Sequence, residues 1–300
     1  MSPLVDFDLT SFTPTRITAV THRLSDHPLL QLPALVELAN RLAKKGAVRT
    51  HDDKAKMGTN FTTAPETNRV ERPAAEVVRD IENAKAWLAL HNIQQDPEYC
   101  ALLDQVLDDL RPRVESKDPG MCYRAGWIFV TSPKAVTPYH MDHENNFILQ
   151  IRGKKKLYVC DPLDREVVTE RALELFHAKN SRELVVFREE HKDRARVFDL
   201  EPGMGGYMPR TAPHSVENGD NVSITISFTY YTNETRRAKL LHQANEVMRK
   251  RGITPTPVGQ SRAVDAAKAF GFGTMLWGRN QLARLRGQPA LVTDVPYAPA

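Results

Sequence analysis

Between Trp127 and Tyr231 the chain keeps placing β-branched and aromatic residues in runs only a few residues long. The runs are Trp127–Thr131, Asn146–Arg152, Leu157–Cys160, Leu184–Phe187, Arg196–Leu200 and Val222–Tyr231, with turn residues between them. Runs this short and this closely spaced are strands, and strands at such spacing build a sandwich or barrel. The middle of the chain is therefore expected to be β, whatever surrounds it.

Helical patterns lie on both sides. Residues 28–46 read as an amphipathic helix, with Leu35, Leu38 and Leu42 on one face and Lys44-Lys45-Gly46 as its stop. A second helix is expected over Ala74–His91, where Val77, Val78, Ile81, Ala84 and Leu88 recur at helical spacing. Asp96-Pro97 opens a third, with the acid as cap and proline at the first helical position. It carries Leu102, Leu103, Val106, Leu107 and Leu110 and is expected to stop before Pro112. Residues 1–25 read as extended or irregular. Residues 50–72 are polar and without period, a loop that covers a site or joins elements. Thr169–Lys179 reads as a helix or loop set between strands. Glu234–Arg251 returns to helix and stops at Gly252, residues 253–261 form a break, and Ala263–Arg286 is a last helical region. Its Phe270, Phe272, Met275, Leu276 and Trp277 suit a core or a dimer face.

With 300 residues the chain is long enough for a sizeable core. No apolar run approaches the roughly 20 residues that span a bilayer. The opening MSPLVDFDLTSF lacks the basic and apolar regions of a secretory signal. Cys100, Cys122 and Cys160 are odd in number and lack C-x-x-C spacing, which argues against a disulfide framework or a zinc-thiolate site. Both observations point to the cytoplasm. The net charge is +4, and from Glu234 onward eleven Lys/Arg face four Asp/Glu. Such a tail attracts nucleic acid or acidic partners. It has few aromatics and no nucleic-acid motif, so it reads as a solvated helical surface and not as a nucleic-acid interface.

The chemistry concentrates in TPYHMDHENNFILQIRGKKKLYVCDP, Thr137 to Pro162. His140 and Asp142 are two apart, and on an extended strand residues i and i+2 point to the same side. They can meet one metal ion from one strand end. His214, in PRTAPHSVEN, comes from elsewhere, expected on an opposing strand of the same barrel. Two His and one carboxylate on one face leave further coordination positions open, the facial set of non-haem Fe(II) oxygenases. An H-x-D pair alone is weak evidence in a chain with 10 His. Here it follows Thr-Pro and precedes a strand, Gly153 and a lysine triplet, with a distal His ahead of another strand. His143 competes as a ligand, but on a strand it would face away from His140.

This stretch resembles the JmjC and cupin-like 2-oxoglutarate oxygenases, in particular the group of the protein asparaginyl hydroxylase that acts on hypoxia-inducible factor, with its bacterial relatives. The matching elements are Thr137-Pro138, His140-x-Asp142, Asn146-Phe147, Gln150-Ile151-x-Gly153, Lys155, His214 and the strand VSITISFTYY. They span roughly residues 120–232. The resemblance implies a mainly β fold with flanking α, a double-stranded β-helix (jelly-roll or cupin) core at 116–233. An N-terminal helical region, 1–115, would pack on this core. A basic helical region, 234–300, would follow and form a homodimer contact.

The same resemblance implies Fe(II) on His140, Asp142 and His214, with 2-oxoglutarate and dioxygen as co-substrates. It puts the distal carboxylate of 2-oxoglutarate on Lys155 and hydrogen bonds to the co-substrate on Thr137 and Asn146. A bend at Gly153 would turn Lys155 into the barrel and leave Lys154 and Lys156 outside; the ammonium–carboxylate pair is then charge-assisted. Hydroxylation is implied over demethylation, on a primary substrate left open. Where the asparaginyl hydroxylase has Asn and Trp on the last strand, this chain has Ser227 and Thr229. That changes the pocket beside the metal, so the asparaginyl substrate is not implied. Trp127, Phe129 and Tyr123 line the pocket or pack in the core. Two other readings remain: a cupin dioxygenase or isomerase that does not use 2-oxoglutarate and has no need of Lys155, and a ligand-sensing regulator.

Overall fold

A computed structural model describes residues 3–289. In chain order the first elements are β1 (Val5–Asp6), β2 (Thr18–His22), α1 (Leu32–Ala43), β3 (Val48–Asp52), α2 (Ala64–Thr67), α3 (Ala74–Arg79), β4 (Ala86–His91) and α4 (Pro97–Glu115). The β-rich centre holds β5 (Cys122–Thr131), β6 (Val136–His140), β7 (Asn145–Arg152), β8 (Lys155–Val159), α5 (Glu170–Lys179), α6 (Glu189–Arg194), β9 (Arg196–Leu200), β10 (Met204–Met208), β11 (His214–Asn218) and β12 (Ser223–Tyr231). Two helices end the described chain, α7 (Asn233–Arg249) and α8 (Arg262–Leu285).

The strands form two antiparallel sheets. The larger has the order β1-β2-β10-β7-β12-β5-β4-β3 and the smaller β6-β11-β8-β9. Ile148 and Met208 from the large sheet pack with Leu157, Val159, Phe198, Leu200 and Val216 from the small one. Two sheets facing each other across such a core form a double-stranded β-helix. Strand alternation then divides the large sheet by parity. Ile224, Ile226, Phe228 and Tyr230 of β12 join Phe147, Leu149 and Ile151 of β7 and the helices α1 and α4 in the main apolar core. The intervening residues face the barrel interior, and on β12 they are Ser223, Thr225, Ser227 and Thr229, all buried.

The expected β core, with helices at both ends, is the fold. Several boundaries differ. Ala74–His91 is not one helix: α3 ends at Arg79, Lys85 adopts a left-handed φ of 49°, and β4 begins at Ala86. β4 lies between β3 and β5 and is buried on both faces, so its residues are apolar without alternation, a pattern that cannot be told from buried helix. α4 runs through Pro112 to Glu115, because the buried Val114 keeps the last turn packed although proline removes one helical hydrogen bond. Leu184–Phe187 is no strand; Leu184 and Val186 are exposed and the segment joins α5 to α6. The polar segment expected as a loop at 50–72 contains the end of β3 and all of α2. The first 115 residues therefore give the sheet four strands as well as their helices.

Candidate metal centre

β6 ends at His140 and β11 begins at His214, and the two residues pair directly across the small sheet. His214 is therefore on a neighbouring strand of the same sheet and not on an opposing one. Asp142 follows the end of β6. His140 Nε2 lies 3.7 Å and His214 Nε2 3.8 Å from Asp142 Oδ2. One ligand atom from each of the three side chains falls within 4.8 Å of the others, the one such group of His, Cys, Asp or Glu among the described residues.

The imidazoles are held in the form that a metal needs. His140 Nδ1 is 2.8 Å from the Pro138 carbonyl and His214 Nδ1 is 3.0 Å from the Ala212 carbonyl. A carbonyl only accepts, so Nδ1 donates in both rings and Nε2 is the atom turned to the shared centre. Burial, then the neighbouring His214, holds His140 well below the usual histidine range, so its ring stays neutral. Burial works to raise Asp142, but the facing His140, His214 and Arg182 outweigh it and keep the carboxylate below its ordinary value. Arg182 Nη2 stands 3.6 Å from Asp142 Oδ1, which leaves Oδ2 turned to the histidines. This donor set fits a divalent first-row metal: two imidazoles and one carboxylate converge from one side.

A pocket opens on this group, lined by Phe61, Trp127, Phe129, His140, Asp142, Glu144, Asn146, Ser227 and Thr229. Phe61 comes from the polar segment before α2 and stacks on His140, with 3.7 Å between ring centroids and 3° between planes. That segment covers the site. Trp127 and Phe129 line the pocket, while Tyr123 is exposed and packs edge-on against Tyr231. Asn146 Oδ1 and Ser227 Oγ are buried without a hydrogen-bond partner among the described residues. Burial, then the adjacent Asp142, pushes the Glu144 carboxyl up to about 8.

Lys155 and Thr137 are not on the wall of this pocket. Lys155 sits opposite Asn218, four residues along β11 from His214. Its side chain crosses the barrel interior and its ammonium donates to Thr225 Oγ1 on β12. Thr225 in turn donates to Gln150 Oε1 at 2.9 Å, and Gln150 Nε2 donates to Ser223 Oγ at 3.0 Å. Every partner in that chain is neutral. Burial alone pulls the Lys155 ammonium down to about 7. Lys154 and Lys156 turn outward to Glu201 and Asp199. The bend that separates them from Lys155 requires glycine: Gly153 has φ of 75°, and a Cβ there would lie 2.2 Å from the Val222 carbonyl oxygen. Thr137 Oγ1 accepts from Trp87 Nε1 at 2.8 Å, which leaves its own proton free to donate.

His143 faces away from the metal group, stacked on Phe176 and 3.3 Å from His177. Sequence reasoning did not reach Phe61, Arg182, Glu144 or Trp87. Only Glu144 had a local signal, its place between Asp142 and Asn146, and all three line the pocket.

The fold and this group define a double-stranded β-helix with a two-histidine, one-carboxylate centre at one end of the barrel. A family described as a cupin-like domain matches residues 32–236, and the chain belongs to that family. Among solved structures it is similar to YcfD, a ribosomal oxygenase from Escherichia coli, at 14% identity and a TM-score of 0.44, covering 97% of this chain and 72% of that one. YcfD in complex with cobalt and 2-oxoglutarate matches at 15% identity and a TM-score of 0.46, over 91% of this chain and 66% of that one. No curated protein sequence matches the chain. No helix among the described residues is long and apolar enough to cross a membrane.

Proposed function

We propose that the chain is an Fe(II)- and 2-oxoglutarate-dependent oxygenase, with its catalytic core at 116–233. It hydroxylates a C–H bond of a protein, peptide or small molecule. One observation carries this reading: a convergent His140–Asp142–His214 donor group shares a barrel with a buried lysine that has no anionic partner among the described residues. The bound iron, with 2-oxoglutarate and dioxygen, supplies the oxidising power. In the overall reaction R–H, dioxygen and 2-oxoglutarate give R–OH, succinate and carbon dioxide.

The protein's own part is positioning and charge. His140 and His214 offer Nε2, fixed by their backbone carbonyls, and Asp142 offers one carboxylate oxygen. Lys155 binds the distal carboxylate, which gives its buried ammonium the anion it lacks. Trp87 occupies the Thr137 oxygen, so the Thr137 proton points to the same co-substrate, and the Asn146 amide adds a further hydrogen bond. Phe61, Trp127 and Phe129 exclude water from the reacting face. A cupin enzyme that does not use 2-oxoglutarate would have no need for Lys155 and would gain from an apolar residue there.

The proposal extends to partners and place. The exposed Phe270, Trp277 and Leu285 of α8 form the contact of a homodimer. The enzyme works in the cytoplasm, where Cys100, Cys122 and Cys160 remain thiols. The test of the activity is succinate formation from 2-oxoglutarate by the iron-loaded protein, measured by NMR. Succinate above a His140→Ala control supports it; none, at saturating iron and co-substrate, contradicts it. Light scattering on Trp277→Glu tests the dimer, with a monomer as the expected result.

A further inference from the structure

The chain leaves α5 at Asn180, whose backbone is left-handed, with φ of 53°. Glycine is the usual residue at such a helix end, because it has no Cβ to clash, and asparagine is the common alternative. Asparagine adds a side-chain amide, and here two donors use it. Arg182 Nη1 and His143 Nε2 each lie 3.2 Å from Asn180 Oδ1. A guanidinium only donates, so this atom is the amide oxygen and His143 donates to it as well. His143 is itself seated on α5: its ring stacks on Phe176, with 3.8 Å between centroids, and its Nδ1 lies 3.3 Å from His177 Nδ1. From α7, Gln243 Nε2 donates to the His177 carbonyl at 3.1 Å and the His242 ring stacks on His177. The end of α5 is thus fixed from behind.

Arg182 carries this order to the ligand turn. Its side chain is only 12% exposed, so water competes little for its nitrogens. Its fork holds two consecutive residues: Nε donates to the Met141 carbonyl at 3.1 Å and Nη2 faces Asp142 Oδ1 at 3.6 Å. The guanidinium also lies over the Phe176 ring, 4.9 Å from its centroid. Asn180 takes Nη1, and so sets the plane in which the other two nitrogens point. A carboxylate already aimed loses little freedom when it binds a metal.

We propose that Asn180 is a positioning residue of the metal centre: it aims Arg182, and Arg182 holds Asp142 Oδ1 so that Oδ2 alone reaches the metal. This rests on the metal centre of the oxygenase reading and names what orients its carboxylate.

Asn180 is the informative position because it is uncharged. Removing Arg182 also removes a positive charge beside a divalent cation, which by itself favours metal binding. Asn180→Gly changes no charge and keeps the left-handed turn. The test is calorimetric titration of the full chain with cobalt(II) and then with 2-oxoglutarate. Asn180→Gly should weaken cobalt binding by about tenfold, the range of a lost outer-shell partner, and leave the melting temperature of the metal-free protein in place. The visible d–d absorption of the bound cobalt should change too, because both oxygens of Asp142 become available; a merely structural role would not move it. In an Arg182→Met background the same change should cost less than about twofold, since the residue it acts through is gone. Cobalt affinity and absorption like those of the unaltered protein, or an equal cost in both backgrounds, overturns the proposal. If Asn180→Gly also melts earlier, Asn180→Asp decides, because it tolerates the same backbone and keeps the acceptor. Its cobalt absorption should match the unaltered protein's, and absorption like that of Asn180→Gly overturns the proposal. The 2-oxoglutarate step separates the two claims. Cobalt binding that depends on Asn180, without 2-oxoglutarate binding, sinks the oxygenase reading alone. Binding of both, indifferent to Asn180, sinks the positioning role alone.

Discussion

β12 serves two unlike environments with alternate residues. Outward, Ile224, Ile226, Phe228 and Tyr230 pack among the N-terminal helices in the main apolar core. Inward, Ser223, Thr225, Ser227 and Thr229 are as deeply buried but meet lysine, glutamine and the pocket. The outer face lowers the free energy of folding by removing apolar area from water. The inner face costs stability, because polar groups are buried there and some, such as Ser227 Oγ, have no partner among the described residues. A sheet with both sides buried thus divides its labour by parity. Outer positions hold the fold, and inner positions carry polar groups into the barrel.

That division can be broken or sharpened by substitution. The largest effect is expected at the metal group. His140→Ala should reduce succinate formation by more than the roughly 100-fold that losing an outer-shell partner costs. The thermal midpoint of the metal-free protein should barely move. Phe228→Ala, on the outer face, should do the opposite, costing about 3–5 kcal/mol of stability in a denaturant titration. Any remaining folded protein should keep its metal affinity.

Lys155→Met separates the faces most sharply. It should weaken 2-oxoglutarate binding by roughly thirtyfold or more, and yet raise the melting temperature without ligand, because an unpaired buried ammonium is replaced by an apolar chain. A lower melting temperature would contradict the inner-face account.

The same lysine sets a pH dependence. Burial holds its ammonium at about 7 in the folded protein, while an unfolded lysine titrates near 10.4. Between those values the unfolded chain binds more protons, so the stability of the ligand-free protein should rise as pH climbs from about 7 toward 10. Saturating 2-oxoglutarate should flatten the rise in a pH series of melting curves. The smallest effect is Trp87→Phe. It removes one neutral hydrogen bond to Thr137 and should raise the KM for 2-oxoglutarate only a few-fold, near the roughly 1 kcal/mol of such a bond.

The sequence made the inner face legible where chemistry and spacing coincide. His140, Asp142 and Lys155 could be read because a strand's parity, a glycine bend and a lysine triplet leave few ways to point them. Lys154 and Lys156 did turn outward as that argument required. What escaped was set by distant parts of the chain. Trp87 looked helical because a strand buried on both faces carries no alternation. Phe61 reaches His140 from a segment whose composition says only that it is polar, and Arg182 follows α5 with no local mark of its target. The short strand β10, Met204–Met208, escaped as well. Its Gly205 and Gly206 read as a turn, and glycine weakens a strand signal.

The central claim is that the donor group and Lys155 form one co-substrate site. It is tested most directly by anaerobic titration of the protein with Fe(II) and 2-oxoglutarate, following the visible charge-transfer absorption, with His140→Ala and Lys155→Ala alongside. The account predicts a band in the unaltered protein, none in His140→Ala, and a requirement for far more 2-oxoglutarate in Lys155→Ala. Iron binding without a band, or a band indifferent to Lys155, would contradict it.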